Sequence, residues 1–97
     1  MKRDAVLAWL AARRPLPPGA LREHLVRRVH DLDAPLPLHL ATLGRELLAG
    51  VNAAPERGRA LALDLLAADA FVTYAFEAQA EADPTALDAL AQRMEEA

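Results

Sequence analysis

Residues 61–78 read LALDLLAADAFVTYAFEA. At 100° per residue the apolar side chains cover nearly the whole circumference of a helix, and Asp64 and Asp69 are the only charges between Ala60 and Phe76. A helix with this character is either central to a fold or covered by a second molecule. Leu61, Leu65, Ala68, Val72, Ala75 and Phe76 form its main seam, while Leu63, Leu66, Phe71 and Tyr74 point elsewhere. The two aspartates interrupt the run well before the roughly 20 apolar residues that a bilayer crossing needs, so it is not a membrane span.

Outward from this segment, proline and glycine punctuate the chain at 15–19, 35–37, 50–55 and 83–84, and the apolar period between these marks stays near 3.6. Five helices follow. The first runs from about Asp4 to Arg14 and carries Val6, Leu7, Trp9 and Leu10 on one broad face, with the indole N–H free to seek a partner. The second starts near Pro18 with Leu21, Leu25, Val29 and Leu32 in a stripe and Glu23, Arg27 and Asp31 four apart on another face. The third opens at Pro35 to Pro37 and lines up Leu36, Leu40, Leu43, Leu47 and Val51, with Gly44 beside them where a neighbouring helix can approach. Pro55 opens the fourth, which extends to about Ala82. Asp83 and Pro84 supply a cap and a first-turn proline for a short fifth helix, with Leu87, Leu90, Ala91 and Met94 inward.

Composition agrees with an all-α reading. Of 97 residues 54% are hydrophobic but only 4% aromatic, there is no Ile, and Val occurs only at 6, 26, 29, 51 and 72, so the apolar surface comes from Leu and Ala. The expected architecture is a single domain over 1–97: a compact four- or five-helix bundle with the long fourth helix at its centre. Ten Arg against one Lys, with abundant Ala, fit the coding bias of a GC-rich bacterial genome. The absence of Cys suits a reducing compartment, and the first residues lack the apolar core and cleavage pattern of a secretory signal, so the expected location is the cytoplasm.

The same composition removes several chemistries. With neither Cys nor Ser there are no disulfides, thiolate metal sites, or thiol or serine nucleophiles. His24, His30 and His39 stand six and nine apart, whereas helical zinc pairs need ligands about four apart on one face. They read as surface or flanking histidines, and no metal or cofactor is expected. The stripe Asp69, Thr73, Glu77, Glu81 lacks the Glu-x-x-His elements of a di-iron bundle and reads as a solvated acidic face. Arg14-Pro15-Leu16-Pro17-Pro18 has the look of an SH3 ligand, but proline beginning a helix makes the same stretch an ordinary connector.

Residues 66–77, LAADAFVTYAFE, resemble a helix of the trans-isoprenyl diphosphate synthases. The resemblance covers twelve of 97 residues and would imply a prenyl-transfer fold. The chain has no DDxxD motif and is far shorter than those enzymes, so no residue role is carried over.

Charge is unevenly distributed. Residues 1–30 hold seven basic and two acidic groups and residues 31–97 four and twelve, so two halves of opposite sign are expected to attract each other. Arg22, Arg27, Arg28 and Arg45 are the expected partners of Asp64 and Asp69, which must be satisfied at the edge of a core. Three functions are weighed. The leading one is a non-enzymatic interaction or structural module that self-associates, as a homodimer, through the fourth helix, with Leu63, Leu66, Phe71, Tyr74, Asp64 and Asp69 as interface or pocket residues. The second is a small-ligand-binding bundle with Trp9, Phe71, Tyr74 and Phe76 lining a pocket and Asp64 or Asp69 orienting the ligand. The third is nucleic-acid binding by Arg13, Arg14, Arg22, Arg27 and Arg28, which the net charge of −3 disfavours.

Overall fold

A computed structural model describes residues 1–53 and 58–96, and among these every regular element is helical. The helices are α1 (Arg3–Ala11), α2 (Gly19–Arg28), α3 (Leu36–Ala53), α4 (Arg59–Ala82) and α5 (Leu87–Glu95), the last entered through a 3₁₀ turn at Pro84–Ala86. The fold is an all-α bundle in which α4 is the longest element. The expected start of that helix at Pro55 lies outside the described residues. Gly58, at φ +148°, stands immediately before α4 in a backbone conformation that residues with a Cβ rarely adopt.

The antiparallel pair α3 and α4 is the main contact of the fold, and its closeness depends on small residues. A Cβ built on Gly44 would fall 2.9 Å from Val72 Cγ2, 3.1 Å from the Ala68 carbonyl oxygen and 3.3 Å from Phe71 Cβ. The two backbones meet because Gly44 has no side chain and Ala67, Ala68 and Ala75 have short ones. Phe71 is fully buried in this contact, together with Leu40, Ala41 and Leu43 of α3 and Val6 of α1. Leu25 and Val29 close the core from the α2 side and Leu90 from α5.

The expected seam of α4 is buried at Ala68 and Ala75, but the burial is centred further round the helix. Its buried residues are Ala67, Ala68, Phe71, Ala75 and Ala78, whereas Leu65, placed in the seam on sequence, is 50% exposed. Alanine rather than leucine occupies the inward face because only a short side chain fits where α3 approaches most closely. Phe71, expected to point away from the seam, is at its centre.

Helix ends explain another difference. Arg3 sends Nε to the Val29 carbonyl (2.9 Å) and Nη2 to the Val26 carbonyl (3.0 Å), satisfying acceptors at the C-terminus of α2. That helix ends at Arg28, so Asp31 does not continue its charged face. Asp31 instead accepts from the Arg3 backbone N–H at 2.6 Å, and this bond is the chief reason its carboxyl titrates below the usual aspartate range. At the other end of the chain Asp83 caps as expected, accepting from the Thr85 N–H (3.1 Å) and hydroxyl (2.6 Å).

Candidate functional site: an outward leucine face and a charged cleft

The inward phase of α4 fixes what faces outward. At 100° per residue, Arg59, Ala62, Leu66 and Asp69 lie within roughly 80° of one another on the side opposite the buried alanines, with Leu65 at the edge nearer α3. All five are exposed, Leu66 to 54%. Leu48 of α3 is a further large exposed apolar residue, at 41%. Between α3 and α4, Val51, Asn52, Gly58, Leu61, Ala62 and Leu65 line a shallow depression of about 390 Å³. Scattered exposed leucines are ordinary on soluble proteins, but neighbouring ones on one helix, beside a depression that Leu65 itself lines, form a patch.

On the α2 side of α4 lies a cleft of about 680 Å³, lined by residues that include Arg27, Arg28, His30, Glu46, Arg59 and Asp64. Asp64 is mostly covered. Its Oδ1 accepts from His24 Nε2 at 2.5 Å and from Arg28 Nη2 at 3.0 Å. Arg28 is among the partners expected for Asp64; His24 is not, and a ring expected at the surface is instead buried. The need to satisfy a mostly covered carboxylate thus accounts for Arg28 in the cleft and for the burial of His24 beside it.

His30 and His39 behave oppositely although they touch. His30 is exposed, places Nε2 2.8 Å from Glu46 Oε2 and Nδ1 2.9 Å from the Asp31 carbonyl, and its pKa is raised, first by the bond to Asp31 and then by Glu46. Both ring nitrogens face acceptors, which only the imidazolium can satisfy. His39 is fully buried, donates from Nε2 to the His30 carbonyl at 2.7 Å, and leaves Nδ1 without a partner among the described residues. Burial lowers its pKa, so it is held neutral. The expectation of surface or flanking histidines holds only for His30.

The remaining candidates disperse. Asp69 is exposed and no group among the described residues forms an ion pair with it, so the expected arginine partner is absent there. Leu63 is partly buried. Tyr74 packs edge-on against Trp9, ring centroids 5.9 Å apart, and lines an apolar recess of about 230 Å³ with Leu7, Leu10, Leu16, Leu25 and Val26. Burial raises its hydroxyl pKa. Asp64 and Tyr74 therefore open onto different cavities, and Phe71 is sealed in the core, so the proposed set does not line one pocket.

Opposite charges from the two halves do meet. Arg13 binds Glu81 (2.7 Å) and Glu77 (3.2 Å) while its guanidinium carbon lies 3.9 Å from the Trp9 ring centroid, and the Trp9 N–H donates to Glu81 at 3.3 Å. The bond to Arg13 is the main cause that holds Glu81 below the usual glutamate range. Among the described residues no group of three or more His, Asp or Glu is placed to hold a metal ion, and no helix is long and apolar enough to cross a membrane. None of the family models, curated proteins or solved structures compared with the chain matches it. The twelve-residue resemblance to a prenyl-transferase helix gains no support from these comparisons, and the burial of Ala67, Ala68, Phe71 and Ala75 gives those residues a packing role.

Proposed function

We propose that this chain is a non-enzymatic interaction module that pairs with a second copy of itself through the outward face of α4. The observation that carries this reading is the exposure of Leu65 and Leu66, to 50% and 54%, on a helix whose opposite face is already fully used in the core. Burying large apolar side chains of this kind contributes about 1.5–3 kcal/mol each, and an isologous contact counts every residue twice. The cytoplasm is the setting assumed, on the lack of cysteine. Sedimentation velocity at tens of micromolar should give a dimer, and Leu65→Glu with Leu66→Glu a monomer of unchanged helicity. A wild-type monomer throughout that range would end the proposal.

A second reading is favoured by one observation, the surplus of cationic side chains around the larger cleft. Arg27, Arg28, Arg59 and His30 face Glu46 and Asp64, so a small anion would be attracted there. Its volume lies within the range of ligand sites, whereas the apolar recess is below that range. Thermal shift with phosphate and small carboxylates tests it, the absence of any rise in Tm counting against it. The nucleic-acid reading loses ground because Arg13 and Arg28 are already engaged by carboxylates of α4.

A further inference from the structure

The outward face of α4 has an order that its apolar character alone does not require. Along the helix it reads Arg59, Ala62, Leu66, Asp69: positive, small, large, negative, with each charge three positions from its apolar neighbour. All four are exposed. We infer that two copies of α4 pair antiparallel about a two-fold axis level with Asp64, in the one register that sets Arg59 against Asp69 of the partner subunit and Ala62 against Leu66 of the partner subunit.

The inference rests on the self-association proposed above and specifies its geometry. A two-fold relation between antiparallel helices pairs positions whose numbers have a constant sum, so a face serves both partners only if its halves are complementary to each other. Here they are. The large Leu66 faces the small Ala62, which permits close approach, and opposite charges about 15 Å apart along each helix bracket the apolar centre at both ends. A parallel pair would instead bring Arg59 to Arg59 and Asp69 to Asp69, like charges at both levels, and align the two helix dipoles. Asp69 thus acquires a partner outside its own chain.

Charge reversal and cross-linking test the register separately from association itself. Arg59→Glu and Asp69→Arg should each weaken self-association about tenfold, because each places like charges together at both ends of the symmetric contact. An equimolar mixture of the two variants should pair as a heterodimer with wild-type affinity, since one charge pair is then native and the other is restored in reversed sense. In a chain with no cysteine, a mixture of Ala62→Cys and Leu66→Cys should cross-link on oxidation, whereas Leu66→Cys alone should not, its two copies being offset by about 6 Å along the axis in addition to the interhelical separation. If Leu66→Glu abolishes a wild-type dimer but the charge variants pair normally, or Leu66→Cys cross-links to itself, the antiparallel register is wrong and the interface stands. If the wild-type chain is a monomer at tens of micromolar, both fall.

Discussion

The inner face of α4 is built of alanine around Phe71, and its outer face carries the leucines. On its inner face Ala68, Phe71 and Val72 sit close enough to Gly44 of α3 that a Cβ there would be crowded, while on its outer face Leu65 and Leu66 stay half exposed. Had hydrophobic burial alone set the phase of this helix, the leucines would have turned inward. They do not, because close backbone approach and the seating of Phe71 together bury more contact than a looser leucine seam would. The contrast separates two properties. Changes on the inner face should alter stability, and changes on the outer face should alter association with stability nearly untouched.

The largest effect should come from Phe71→Ala, which empties the centre of the α3–α4 contact. A loss of about 3–5 kcal/mol in unfolding free energy is expected for an aromatic side chain of this burial, measured by urea denaturation. This chain is short enough that such a loss would leave it near its unfolding midpoint. A stability change under about 1 kcal/mol would show that the ring is not a core element.

Gly44→Ala comes next. Alanine is the better helix former by about 1 kcal/mol, yet the added methyl meets the Ala68 carbonyl, which cannot move without shifting α4, and the β-branched Val72. Overpacking should win, for a net loss of about 1–2 kcal/mol. A gain in stability would mean that the helices are further apart than described.

Acid should act through His39. Its folded-state pKa lies below the ordinary value near 6.5, so its contribution is complete above that pH and is lost as pH falls below it toward the folded-state value. For His30, whose folded-state pKa is raised, the contribution is complete below the ordinary value and is lost as pH rises through the folded-state value. Between pH 7 and 5 the two act in opposite senses, so relative to the wild type His39→Gln should lessen the fall of Tm with acid. His30→Gln should steepen it. The smallest effect expected is on the Arg13 network: Arg13→Met should lower Tm slightly at low salt and negligibly in molar salt, because its carboxylate partners are half exposed.

Much of this architecture is legible in the sequence for reasons that can be named. Pro84 following Asp83 signals the last helix start, and Gly44 within a leucine stripe signals close approach. The half-buried Asp64 requires a cation, which Arg28 supplies. The phase of α4 is not legible, because leucine and alanine alternate around its whole circumference and the deciding partner, Gly44, lies 23 residues or more away in sequence. The end of α2 at Arg28 is equally silent: no glycine or proline marks it, and the residue that satisfies its last carbonyls is Arg3, on another helix. The burial of His24 and His39 depends on Asp64 and on the His30 carbonyl, which no spacing rule brings together.

The outer face of α4 is proposed to hold two chains together while its inner face holds one chain folded. Sedimentation equilibrium of the wild type beside Leu66→Glu, with thermal unfolding of both variants dilute enough to be monomeric, tests it most directly. A wild-type dimer, a monomeric variant and nearly equal Tm values are expected. A wild-type monomer, or a variant that remains dimeric, would contradict it.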